Sequence, residues 1–178
     1  MAVYTTITQT EAQQLFKPLG EIEKFEGIRE GVENTNYLVH LNDSKKYILT
    51  IFEKRTNEKD LPYFNKLMRL FHSNGVSCPL SVTIKNEDLF RVNEKPCCIY
   101  SFVEGRPLLE INKEKLNSLG SSIAHLHKSG INSKLFRKNM MLLPSWKNIT
   151  ESFSRNSTNI HIDEYNYILN LSLIHISE

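Results

Sequence analysis

The apolar positions change texture once along the chain. Residues 20–103 read as strands around one helix, and residues 105–178 read as helices and loops. Ahead of the strands, Thr10 is placed to cap a short helix that runs to Phe16 and closes at Pro18 and Gly20. Three strands are predicted next. Residues 21–28 set Ile22 and Phe25 among polar neighbours. Residues 36–41 put Tyr37, Val39 and Leu41 on one face and Asn36, Leu38 and His40 on the other. Residues 46–53 are apolar on both faces, as in a central strand. Asn42, Asp43 and Ser44 supply turn chemistry between the last two, so the three strands form an antiparallel meander.

A helix follows, with Asp60 as N-cap, Pro62 in its first turn, and Leu61, Phe64, Met68 and Phe71 as its apolar stripe. Asn74 and Gly75 end it. Two more strands are expected near residues 80–84 and 97–103, with the turn KNED after the first. Glu104-Gly105-Arg106-Pro107 then breaks the pattern. A second clear helix starts at Asn112, buries Leu116, Leu119, Ile123 and Leu126, and ends at Gly130. Residues 131–160 are polar and loop-like, with Trp146 as the large anchor, and residues 163–170 begin another helix. The last eight residues, LSLIHISE, do not continue its amphipathic face and read as a non-native tail.

Composition narrows the classes. Lys and Arg number 22 against 20 Asp and Glu, a net charge of +2 that does not point to a nucleic-acid surface. No apolar run approaches the ~18 residues of a membrane span, and the N-terminus shows no secretory pattern, so a cytoplasmic protein is expected. The three cysteines have no metal-ligand spacing and read as buried thiols of a reducing compartment. His125 and His127 stand two apart on a helix, face different ways, and do not chelate one ion; His127 is expected in a hydrogen-bonded core or interface position. There is no G-x-S-x-G elbow and no G-x-x-x-x-G-K-[ST] loop, which excludes the usual hydrolase and P-loop readings.

Two segments invite a nucleotide. The turn GIREGVENTNY carries Gly27 and Gly31, and a glycine turn between antiparallel strands lets backbone amides approach phosphates closely. Asn34, Thr35 and Asn36 add side-chain donors, although an ordinary hairpin uses the same residue types. The strand CCIYSFVEGR runs into the break at residue 104. If that break is an interlobe hinge, the backbone of Ser101 and Val103, with Phe102 between them, reads an adenine edge, and Ile99 and Leu49 sandwich the base. A buried strand ending in a turn explains the same residues without a ligand. The order of strands, glycine turn, helix and hinge matches the small lobe of kinase-like phosphotransferases.

The segments EGVENTNYLVHL, YILTIFEKR, LPYFNKLM, GVSCP, IYSFVEGRPL and LGSSIAHLHKSG, in that order over roughly residues 1–147, resemble the homoserine kinase group of the aminoglycoside phosphotransferase and choline kinase superfamily. The resemblance implies an α+β fold: a protein-kinase-like small lobe over residues 1–103, then the first helices of an incomplete helical lobe over residues 104–170, with residues 171–178 outside it. It implies ATP and Mg²⁺ as cofactors, L-homoserine as phosphate acceptor, and threonine biosynthesis as the setting. It places nucleotide binding on Gly31, Asn34, Thr35, Asn36, Leu49, Ser101, Phe102 and Val103. The family's catalytic and metal-binding motifs, H-x-D-x-x-x-x-N and D-x-D, are not matched. His161-Ile162-Asp163 fits the first three positions, but Ile168 stands where the Asn belongs. The chain by itself is therefore expected to be inactive, and aggregation-prone if the second helix lies bare. Thr50 stands where kinase-like folds carry a strand lysine; Lys54 and Arg55 are near, and Glu58 or Asp60 is the carboxylate that would pair with such a lysine. A choline-type or aminoglycoside-type kinase, or a noncatalytic nucleotide-binding module, would share these features.

Overall fold

A computed structural model of the chain describes residues 4–107, 110–139 and 142. The chain divides into two units, Met1–Phe136 and Arg137–Glu178, and the fold described below is that of the first. The expected anchor Trp146, the helix at 163–170, His161-Ile162-Asp163 and the tail at 171–178 lie outside the described residues.

Five strands form one antiparallel sheet in the order β1-β2-β3-β5-β4: β1 (Ile22–Ile28), β2 (Thr35–Leu41), β3 (Lys46–Ile51), β4 (Phe90–Val92) and β5 (Lys95–Ser101). The meander is as expected, with β3 at its centre. The alternation predicted for β2 holds residue by residue: Thr35, Tyr37, Val39 and Leu41 are buried, and Asn36, Leu38 and His40 are half-buried. The packed face unites Tyr37, Val39, Leu41, Leu49, Ile51, Cys97 and Ile99 with Ala12 and Phe16 of α1 (Gln9–Phe16). The Phe16 ring meets Tyr47 edge-on at 6.0 Å, and Phe25 stacks on Tyr37 at 4.4 Å. The cap of α1 is Thr8, two residues before the expected Thr10, because Thr8 and Glu11 satisfy each other's end of a capping box.

Among the described residues, the opposite face of the sheet is covered over β5 and at Thr50 of β3. Over β5, Cys98 and Tyr100 meet Leu61 and Phe64 of α2 (Leu61–Ser73), together with Phe52 and Leu89. Asn65 of α2 is fully buried; it accepts from the Tyr100 hydroxyl at 3.0 Å and donates to Cys98 Sγ at 3.6 Å. Asp60 holds the N-cap position, but a short 3₁₀ turn capped by Asn57 precedes it.

Two expectations change. Residues 80–84 do not form a strand; they touch β5 through a single bridge, Ser81 to Tyr100, flanked by backbone bonds Ser101 to Leu80 and Val82 to Ile99. The outer edge of β5 is shared, because β4 takes its other end. β4 was not foreseen. Its two-residue turn places Asn93 and Glu94 at φ +46° and +63°, the geometry a tight hairpin needs, yet Glu is a poor signal for it.

The second correction concerns α3 (Lys113–Gly130), capped by Asn112 as expected. Its predicted stripe is not buried: Leu116, Leu119 and Ile123 are 46–54% exposed. Among the described residues α3 meets α2 only near its end, where His125 Nε2 lies 2.9 Å from the Asn74 carbonyl and Gly130 sits against Phe71. The interface histidine is thus His125, and His127 is exposed. No helix among the described residues is long and apolar enough to cross a membrane.

Candidate functional site

The second face of the sheet carries Glu26 and Ile28 of β1, Asn36 and Leu38 of β2, and Ile48 and the buried Thr50 of β3, which pair across the strands as Ile28–Asn36–Thr50 and Glu26–Leu38–Ile48. Leu38 and Ile48 are half-buried and adjacent, a small apolar floor. Toward the β1–β2 turn the floor becomes polar. Thr50 Oγ1 donates to Asn36 Oδ1 at 2.8 Å, which commits that oxygen and leaves the amide NH₂ of Asn36 as its donor. The turn that follows is exposed over residues 29–33, and Gly31 has φ +111°, a backbone state that a side chain disfavours.

The turn is held from several directions. Tyr4 donates its hydroxyl to the Val32 carbonyl at 3.0 Å, Glu53 donates its amide to Asn34 Oδ1 at 3.3 Å, and Arg55 pairs with Glu33 at 3.6 Å. Thr35 is fully buried. Its hydroxyl accepts from the Tyr4 and Thr5 amides at 2.9 and 3.0 Å and donates to Glu53 at 2.8 Å, so it has no capacity left for a phosphate. Glu53 also accepts from Thr5 Oγ1 at 2.6 Å and from the Lys95 ammonium. Burial pushes the Glu53 carboxyl up, but bonds from Lys95, Thr5 and Thr35 together outweigh it and hold the group below its ordinary range. Nothing in the local sequence signals this cluster, because Lys95 lies 42 residues from Glu53.

At the other end of the sheet, β5 leads into residues 102–107. The Ser101 amide is committed to the Leu80 carbonyl at 2.8 Å, and its hydroxyl accepts from the Leu80 amide at 2.9 Å, so only its carbonyl is left for reading a base. Phe102 donates its amide to the Lys46 carbonyl at 3.3 Å, and its ring lies 5.3 Å beneath the Lys46 ammonium, which also pairs with Glu104 at 2.7 Å. Val103 is 41% exposed and its backbone makes no bond to the described residues. These residues border a cavity of about 660 Å³ whose other wall is His72 and residues 75–78.

Gly31, Asn34, Asn36, Ser101, Phe102 and Val103 therefore stand at the two ends of one open face. Leu49 does not join them. It pairs with Ile99, both are fully buried on the packed face, and neither has surface to offer a base. Period-two geometry gives the reason: the neighbours of the open-face residues Ile48 and Thr50 must point the other way. Leu38 and Ile48 pair on the opposite face. The helix carboxylates are also elsewhere. Glu58 pairs with Arg91 at 2.6 Å, and α2 reaches the sheet through Asn65 and β5, not through Thr50. Among the described residues no group of His, Cys, Asp and Glu side chains is arranged to hold a metal.

The profile of the phosphotransferase enzyme family matches residues 24–150. Curated homoserine kinases of Brucella anthropi and Parvibaculum lavamentivorans are each 37% identical to the chain, over 150 and 155 residues. These matches cover 83% and 85% of the chain but 46% and 48% of those proteins, so the chain spans about half the length of the relatives it matches. Among solved structures, a spectinomycin phosphotransferase with ADP and spectinomycin superposes with a TM-score of 0.63 at 16% identity, covering 95% of this chain and 55% of that one. An amicoumacin kinase with AMP-PNP and Ca²⁺ gives 0.60 at 13% identity, covering 85% and 56%. At such identities these two establish the kinase-like fold alone.

Proposed function

The chain belongs to the phosphotransferase enzyme family, and on that premise we propose that it forms the nucleotide-binding lobe, residues 1–103, and the start of the helical lobe of a homoserine kinase. Such a kinase transfers the γ-phosphate of ATP to the hydroxyl of L-homoserine, a step toward threonine in the cytoplasm. The observation that carries the nucleotide role is the single open sheet face with a glycine turn at one end and an unpaired backbone at the other. The acceptor rests on the homoserine kinases at 37% identity.

In this reading the adenine lies on Leu38 and Ile48, with the Val103 backbone and the Ser101 carbonyl along its edge and Phe102 between them. The triphosphate runs toward the turn, where the amides around Gly31 and the side chains of Asn34 and Asn36 face it. Thr35 and Thr50 fix that turn and do not touch phosphate. Arg55, paired with Glu33 beside the turn, is a cation available to the phosphates in place of the absent strand lysine. Phosphoryl transfer is mostly positioning and charge neutralisation, with an aspartate that orients the attacking hydroxyl. The described residues supply the positioning. A divalent cation such as Mg²⁺ finds no ligand set among them.

The test is ADP release by the purified protein that carries this chain, given ATP and Mg²⁺ with L-homoserine, choline or spectinomycin in turn. Turnover with L-homoserine alone is expected. Turnover with choline or spectinomycin instead would replace the acceptor. Absence of turnover together with absence of nucleotide binding would end the kinase reading.

A further inference from the structure

The best-bonded polar cluster of the described lobe lies behind the sheet, on the face away from the proposed nucleotide. Glu53 lies two residues beyond the end of β3, and its side chain is 10% exposed. One carboxylate oxygen takes the hydroxyls of Thr5 and Thr35, at 2.6 and 2.8 Å, and the other takes the Lys95 ammonium. Lys95 also donates to Thr5 Oγ1 at 2.7 Å. The backbone amide of the same Glu53 holds Asn34 Oδ1. One residue thus fixes Asn34 through its main chain and Thr35 through its side chain. These are the last residue of the turn and the first residue of β2. It also joins them to the N-terminal segment and to the start of β5. The carboxylate itself, turned to the packed face, touches nothing on the open face.

A charged group in such a place costs desolvation, and its hydrogen bonds must repay it. Packing alone does not require it, since apolar side chains in place of the whole Glu53–Lys95 pair are often neutral or stabilising. What the arrangement provides is direction. The Asn34 side chain and the root of the turn are held in one orientation before any ligand arrives, which is what an anion-binding turn needs to avoid an ordering cost on binding. We propose that Glu53 is a positioning residue for the phosphate-facing turn at Gly31–Asn36, acting through Asn34 and Thr35. The inference rests on the nucleotide-lobe reading above for its purpose, but the ordering of the turn can be measured without a nucleotide.

The test compares the wild-type chain with Glu53→Gln, Thr35→Val and Thr35→Ser. Backbone NMR order parameters of residues 31–36, hydrogen exchange across the sheet and ADP affinity are recorded for each. Glu53→Gln and Thr35→Val are expected to lower the order parameters of the turn toward those of a flexible loop. Both should weaken ADP about five- to tenfold, the size of one ordinary net hydrogen bond. Exchange in β3 and β5 should rise no further than the lost Glu53 stabilisation requires, with the excess confined to residues 31–36, and Thr35→Ser, which keeps the hydroxyl, should behave as wild type. An unchanged turn in Glu53→Gln would overturn the inference, as would a loosening of the turn no greater than that of the whole sheet, which marks a purely structural role. If wild-type chain binds no ADP, the nucleotide reading fails while the order parameters still decide this one.

Discussion

Exchanging the neighbours Ile48 and Leu49 for alanine separates the two faces of the sheet. Leu49 is fully buried against Ile99, Tyr37 and Ile51. Leu49→Ala should therefore cost about 2–5 kcal/mol of stability, the range for a buried leucine that leaves a cavity. The folded fraction should still bind nucleotide normally. Ile48 is half-buried in the free lobe, so truncation loses less on folding and more on binding. The change removes about three carbons worth about 0.8 kcal/mol each when buried. With half of that surface already covered, about 1 kcal/mol is left for the base to cover, or roughly a five- to tenfold rise in the ADP Kd. Urea unfolding gives the first quantity, and calorimetric titration well below the melting range gives the second. The reverse pattern, weak binding in Leu49→Ala and none of the loss in Ile48→Ala, would refute the assignment of faces.

Three other outcomes are expected. Phe16→Ala removes the ring that fastens α1 to the sheet and should destabilise the lobe by about 3–5 kcal/mol, read from the urea midpoint. Because the folded Glu53 carboxyl sits below its ordinary value, its stabilisation is complete above the unfolded pKa and is lost as pH falls through the folded one. Stability against urea should decline below about pH 5, and Glu53→Gln should show a shallower decline than the wild type. Burial pushes the Cys97 thiol up to about 12 and raises Cys98 as well. With a thiol-specific reagent at pH 8, neither should react until the protein unfolds, so Cys78 is the first to be modified.

Much of this lobe was legible in the chain because its strands obey one rule. Alternation on β2 identified the buried set correctly, and an apolar β3 announced a central position. The boundaries of α2 and α3 followed from Asn74, Gly75 and Asn112, whereas α1 is capped by Thr8 and not by Thr10. Alternation sets Ile48 and Leu49 on opposite faces but does not say which face is packed; the structure buries Leu49 with Ile99 and leaves Leu38 and Ile48 on the other face. β4 is three residues long, with a glutamate in its turn, and offered no pattern to read. The stripe of α3 has the spacing of a buried face, but spacing carries no information about which surface covers it. The Glu53 cluster depends on Thr5, Thr35 and Lys95 converging from three separate segments. Long-range polar convergence of this kind has no signature in local sequence.

The most direct measurement of the central claim is a methyl-labelled NMR titration of the chain with ADP and with AMP-PNP. Saturable shifts are predicted at the Leu38 and Ile48 methyls and at the amides of Gly31, Asn34, Asn36 and Val103. The Ile51 and Ile99 methyls, behind the sheet, should hold still. Saturable shifts centred on the packed-face methyls, or none at any concentration that saturates a kinase, would contradict the account.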